Sequence, residues 1–261
     1  MNESLQTTTP AHKRKGIPGS TLKIVAIVCM FIDHFAAIIL NDYVITLLSQ
    51  SNYDTNLITH EPVYIIMMVM RCIGRLGFPL FCFLLIEGFT HTRNKVKYAS
   101  RLFLFALISE IPFDYAFNGK ILEFGYQNVF FTLFIGLITL MAYEQIEIKL
   151  HDKKIPCMLL QFLVIVCGVL LGELLITDYS AFGVITIVVM YYFHKDKRIE
   201  TLAGCAALTV MNFIEVFAFA IYPLTSRYNG QRGLNMKYFF YAFYPAHILL
   251  LALISQWLGY R

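Results

Sequence analysis

The sequence predicts an all-α, polytopic integral membrane protein with about eight transmembrane helices. Three observations carry this expectation. First, 58% of the 261 residues belong to the hydrophobic set AVILMFWYC and only 15% are Asp, Glu, Lys or Arg, against roughly 45–50% and about 25% in soluble domains. Too few ionic side chains remain to wet the outside of a globule of this size, so the apolar surplus must face lipid, and a soluble globular enzyme is excluded. Second, apolar runs recur at lengths near the roughly 20 residues that a bilayer helix needs. Third, Lys and Arg concentrate in alternate connections, the bias that orients membrane helices. Those connections also account for the net charge of +4, which does not argue for nucleic acid as a partner.

Residues 1–21 read as a polar, basic cytoplasmic tail containing His12, Lys13, Arg14 and Lys15, and 22–261 as a single membrane domain without fixed-period repeats or Gly-rich linkers. Asp33 and His34 interrupt the first apolar run, whose length suits a full span, so it reads as a retained anchor rather than a cleaved signal. Spans are expected at 22–40, 64–89, 98–117, 127–143, 157–175, 179–193, 201–223 and 237–257. The second is overlong and holds Gly74, Gly77 and Pro79, which predicts a kink or break. The tail and the connections holding Arg93, Lys95 and Lys97, Lys149 to Lys154, and Lys195 to Arg198 are expected on the cytoplasmic side, with both termini. The connection before the last span breaks this pattern, because Arg227, Arg232 and Lys237 fall on the expected outer side. Cys29, Cys72, Cys82, Cys157, Cys167 and Cys205 all lie in apolar runs without metal-ligand spacing and read as core thiols; no metal site is expected.

An ionisable group at mid-span costs roughly 2.5–3.5 kcal/mol on insertion scales, so each needs a partner, a wet cavity or a role. The expected topology puts Asp33 and His34, Arg75, Glu110 and Asp114, Asn212 and Glu215, and His247 at similar depths on five spans. Glu110 and Asp114 are four apart and share a helix face, with Pro112 between them. Lys23 precedes His34 by eleven residues, so both project from one face with the lysine about 16 Å nearer the cytoplasm, a separation that suits a long cytosolic cofactor held at its far end. Plainer readings stand beside these: Arg75 as half of a buried ion pair, His247 as a core histidine bonded to a carbonyl, and Lys23 snorkelling to the interface.

The strings Leu22-Lys23-Ile24-Val25-Ala26, Met30-Phe31-Ile32-Asp33-His34, Gly74-Arg75-Leu76-Gly77-Phe78-Pro79-Leu80-Phe81, Glu87-Gly88-Phe89, Ser109-Glu110-Ile111-Pro112-Phe113-Asp114, Tyr228-Asn229-Gly230-Gln231-Arg232-Gly233 and Tyr244-Pro245-Ala246-His247 resemble the TraX family nearly end to end. That resemblance implies a multi-pass protein of the bacterial cytoplasmic (inner) membrane linked to N-terminal acetylation of pilin, with acetyl-CoA as acyl-donor substrate and no permanently bound cofactor. It also implies kinship with integral-membrane acyltransferases, in which a basic residue stands eleven before a first-span histidine. Lys23 takes the place of the more usual Arg, which forgoes bidentate phosphate recognition.

The expected function is therefore acyl transfer from acetyl-CoA to an acceptor amine or hydroxyl, on pilin or another envelope molecule. His34 is the expected general base, with Asp33, Glu110 or Asp114 orienting it and Arg75 or His247 meeting the oxyanion. Lys23, Arg93 and Lys95 are expected to hold the donor phosphates at the cytoplasmic mouth, and Tyr228, Asn229 and Arg232 to shape acceptor entry on the outer side. The rival readings are a proton-coupled small-molecule transporter, since intramembrane Asp, Glu and His also serve proton relays, and a noncatalytic assembly protein.

Overall fold

A computed structural model of the chain describes residues 15–50, 59–235 and 237–260; His12, Lys13 and Arg14 of the basic tail lie outside them. The regular elements among the described residues are all helical, with no strand. Helix α1 (Gly19–Phe35) passes through a π-turn (Ala36–Leu40) into α2 (Asn41–Gln50). Then follow α3 (Pro62–Gly74), α4 (Gly77–His91), α5 (Lys95–Asn118), α6 (Val129–Leu150), α7 (Lys154–Leu174), α8 (Ser180–Tyr192) and α9 (Lys197–Met211). A 3₁₀ segment (Phe213–Ile221) leads into the short α10 (Tyr222–Thr225), and α11 (Lys237–Trp257) closes the chain.

Among the described residues, five stretches are long and apolar enough to cross a membrane: Gly19–Gln50, Pro62–His91, α6, α7 and Tyr238–Trp257. Helix α8 and residues Phe213–Thr225 are apolar but shorter. The chain is thus a multi-pass membrane protein, and the sequence-based count of eight spans exceeds the five that length and composition support. The core is aromatic and aliphatic, with Phe83, Phe89, Phe113, Leu22 and Tyr244 buried. Met158, Leu159 and Phe162 on α7 stay exposed, as a lipid-facing helix requires. Cys29, Cys82, Cys157 and Cys205 are buried, whereas Cys167 lies on the exposed face of α7 rather than in the core.

The expected break in the second span falls at Arg75 and Leu76, between α3 and α4. Pro79 has no N–H to offer the Arg75 carbonyl four residues back, and the turn tightens instead, with Leu76 N–H donating to Ile73 O at 3.2 Å. The break delivers the Arg75 side chain to the middle of the bundle.

The 201–223 region is not one span. Asn212 stops α9 and its Oδ1 accepts from Ile214 N–H at 3.2 Å, capping the 3₁₀ segment. The chain then returns alongside α9 until the Thr201 hydroxyl donates to Thr225 Oγ1 at 2.8 Å. This hairpin brings the following loop back to the start of α1: Ile17 N–H donates to Arg227 O at 2.8 Å, Gly19 N–H to Gln231 O at 2.8 Å and Ser20 N–H to Arg232 O at 3.0 Å. Gly16 has φ +134°, and a Cβ there would fall 2.6 Å from the Arg227 carbonyl, so only glycine lets the two chains lie so close. Loop 226–235 therefore sits at the end of the bundle where α1 begins, correcting the expectation that Tyr228, Asn229 and Arg232 face the opposite side.

Helix α11 consequently runs parallel to α1 and α2. Lys23 lies over the Phe240 ring at 5.4 Å, His34 meets His247 midway, and Asp42 meets Ser255 near the far end. The described ends of the chain, Lys15 and Tyr260, lie at opposite ends of the bundle rather than on one common side.

Candidate functional site

Two polar clusters occupy the middle of the bundle. In the first, His34 Nδ1 lies 2.8 Å from His247 Nε2, and His247 Nδ1 lies 2.7 Å from the Phe243 carbonyl oxygen. A carbonyl only accepts, so His247 Nδ1 carries a hydrogen and donates it; in the neutral ring Nε2 must then accept. His34 Nδ1–H is accordingly the donor to His247, and the His34 Nε2 lone pair is free. Tyr244 and Phe117 wall the His34 ring edge-on, at centroid distances of 5.7 and 6.2 Å.

The second cluster is ionic. Asp33 receives Arg71 at 2.6 Å and Arg75 at 2.9 Å, and Arg75 reaches Glu215 at 2.9 Å with its other terminal nitrogen. Asp33 and His34 point some 100° apart on α1, so neighbours in sequence serve separate clusters. Gly74 makes the ionic group possible, because a Cβ there would collide with the Asp33 carboxylate. Glu215, which sequence inspection placed at this depth without a role, is the partner that neutralises Arg75.

The two carboxylates of α5 go elsewhere. Glu110 accepts from the Asn128 side chain, and Asp114 accepts from Glu123 N–H at 2.8 Å and Asn118 Nδ2 at 3.5 Å, so Asp114 fastens the turn after α5. His247, rather than Glu110, Asp114 or Asp33, is the group that bonds His34.

Beside the histidine cluster lies a cavity of about 500 Å³ that begins at Gly19, Lys23, His91, Thr92 and Arg232 and ends at Met30, Val129, Phe130 and Tyr244. His34, Arg75, Glu110 and His247 do not line it, contrary to their expected convergence on one cavity; its inner wall is Tyr244, which separates it from His34. Three cations face it. Lys23 is half-buried, Arg232 arrives through the returning loop, and Arg101 adds a buried Nε without a hydrogen-bond partner. Lys95 is instead ion-paired with Glu144 and lies over Phe89, and Arg93 is not part of the wall. Glu87, on the same wall, ion-pairs with Lys197. Burial first, and then the Glu87 carboxylate, push the Tyr228 phenol up, so Tyr228 stays a neutral donor at the mouth. Sequence reading gives Arg101 no role in the site, because it looks like an ordinary basic residue at the start of a span.

Such a site can do two things chemically. The cationic mouth can hold an anionic head group, and a neutral imidazole with a free Nε2 beyond the inner wall can accept a proton. The family model described as TraX protein matches residues 18–255. A protein of Dichelobacter nodosus described as "Probable fimbrial assembly protein FimC, serogroup H1" is 28% identical over 264 residues, covering 91% of this chain and 95% of its own length. No solved structure matches the chain.

Proposed function

Because the chain belongs to the TraX family, we propose that it is a membrane-embedded acyltransferase that moves an acetyl group from cytosolic acetyl-CoA to an acceptor amine or hydroxyl, the acceptor being a pilin or fimbrial subunit. The observation that carries the reading is the cavity whose cationic mouth, Lys23, Arg101 and Arg232, leads to Tyr244 against the ring of His34. Lys23 and His34 are eleven residues apart on α1, about 16 Å along the axis. A donor with phosphates at one end and a thioester at the other suits that span. The fimbrial name of the relative supports a pilin-type acceptor.

In this mechanism the acceptor nitrogen or oxygen attacks the thioester carbonyl and passes its proton to His34 Nε2. The new C–N or C–O bond forms, the C–S bond breaks, and the proton leaves His34 for the departing CoA thiolate. His247 is a positioning residue: by accepting from His34 Nδ1–H it fixes the tautomer that keeps Nε2 basic, and it stabilises the imidazolium once formed. Asp33, Arg71, Arg75 and Glu215 hold α1, α3 and the 3₁₀ segment in register around it.

Purified protein in lipid nanodiscs, given acetyl-labelled acetyl-CoA and a synthetic peptide with a free α-amine or a serine hydroxyl, tests the reading. Labelled peptide and released CoA are the expected result. Uptake of label into sealed vesicles without transfer would point to the transporter, and neither result to an assembly role.

A further inference from the structure

Acyl transfer through a tetrahedral intermediate needs donors where the carbonyl oxygen gains charge, and the groups expected for that task are engaged elsewhere. Arg75 spends both terminal nitrogens on Asp33 and Glu215. Arg71 is held by Asp33, and His247 Nδ1 by the Phe243 carbonyl. Tyr244 differs from all of them. It is 2% exposed, forms the inner wall of the cavity, and its hydroxyl has no hydrogen-bond partner. A buried hydroxyl left unpaired costs roughly 1–3 kcal/mol, a cost that a ligand oxygen would remove.

A second donor stands beside it. Asn128 caps α6 through its side chain, with Oδ1 accepting from Phe130 N–H at 3.0 Å. The Val129 N–H, one of the first-turn amides that no helical carbonyl can satisfy, approaches the Tyr244 oxygen without completing a hydrogen bond. Val129 also lines the cavity. At this point the positive end of the α6 dipole, a phenolic O–H and the His34 ring meet within one aromatic cage that includes Phe130, whose ring lies 4.9 Å from that of Tyr244.

We propose that the Tyr244 hydroxyl, with the Val129 N–H beside it, is the oxyanion site of the acyl-transfer reaction. This rests on the acyltransferase reading above. The developing oxyanion accepts from Tyr244 O–H and Val129 N–H while His34 takes the acceptor's proton, and the tyrosine keeps its own proton throughout. On this assignment Tyr244 is a catalytic residue, and Arg75 is structural.

The test compares CoA release and peptide acetylation by wild type, Tyr244→Phe and Val129→Pro, together with CoA binding by each. Proline is accepted at the first helical position, and Asn128 already has φ −65° and ψ 161°, which suit a residue before proline, so the second substitution deletes one N–H and leaves α6 intact. Tyr244→Phe is expected to lower kcat by about 10²- to 10³-fold with CoA affinity within about twofold of wild type, and Val129→Pro to lower kcat by about tenfold. Active wild type with Tyr244→Phe within a few fold of it would overturn the oxyanion role while leaving the acyltransferase reading in place. Parallel loss of CoA binding and turnover would also overturn it, by making the hydroxyl a donor-binding or packing group. Should Tyr244→Phe not fold, full activity in Val129→Pro would overturn the proposal by itself. A wild type without transfer overturns the reading and the role together.

Discussion

Ser255 donates its hydroxyl to Asp42 at 2.7 Å across 213 positions of sequence, the same offset that separates His34 from His247. Two contacts with one offset mean that α11 lies parallel to α1 and α2 and in register with them for about two turns. The histidine proposed as base on α1 and its partner on α11 are therefore held by the packing of two helices, with the Phe31 and Phe243 rings tilted against each other on the same seam, centroids 6.4 Å apart.

The parallel pair sets sidedness. Reporter fusions after Lys154 and after Tyr260 should read opposite sides of the membrane, with the first cytoplasmic because the Lys-rich connections gather at that end. Two cytoplasmic signals would refute the returning hairpin at Asn212.

The cationic mouth should govern donor affinity. Lys23→Ala and Arg232→Ala are each expected to weaken CoA binding by about ten- to a hundredfold, the value of a charge-assisted hydrogen bond of roughly 1.5–3 kcal/mol. Lys95→Ala should have little effect, since that ammonium is committed to Glu144. Titration calorimetry with CoA in detergent checks all three; a Lys95 effect equal to that of Lys23 would move the phosphate site.

His34→Ala should cut turnover by about two to four orders of magnitude while sparing CoA binding. His247→Ala should cost less, because it removes a positioning partner and leaves the base. The double variant should fall no further than His34→Ala alone, since the two rings act as a unit. Strict additivity of the two losses, measured as kcat, would show that they act independently.

The ionic cluster should behave as structure. Arg75→Met alone leaves Asp33 short of a partner and Glu215 buried and unpaired, which is expected to cost about 3–5 kcal/mol of stability. Arg75→Met combined with Glu215→Leu should recover much of that loss, as paired removal of buried charges often does. Gly74→Ala should also lower stability by about 1–3 kcal/mol, through overpacking against Asp33, and the melting temperature with it. Thermal unfolding followed by tryptophan fluorescence or thiol labelling reads these shifts; a stable Arg75→Met protein with no activity would instead return Arg75 to the chemistry.

Much of the site was legible in sequence because helical spacing and the cost of burying charge are strong constraints. The eleven-residue interval places Lys23 at the mouth and His34 near the inner wall on one helix face, and Pro79 marks the break that delivers Arg75. What stayed hidden was competition for partners. Glu110 and Asp114 do share a face, but Asn128 and the Glu123 amide, from the next connection, claim them before any imidazole can. The hairpin within 201–223 was equally hidden, because hydropathy does not distinguish one crossing from a turn capped by a single Asn212. Arg232, assigned to the outer side for that reason, lines the same cavity as Lys23 and Arg101. Tyr244 was quoted among the family-like strings, yet nothing in a sequence says that a hydroxyl lacks a partner.

The hairpin of α9 and the 3₁₀ segment has an arithmetic consequence. Because it leaves and re-enters at the same end, with Thr201 touching Thr225, it contributes an even number of traversals, and the direction of α11 does not depend on it. Lengthening or shortening its tip near Asn212 leaves the histidine pair aligned. Insertion of one extra crossing anywhere between α2 and α8 would invert α11 and part the two rings. The tolerance of the protein to insertion should thus follow parity rather than distance from the site.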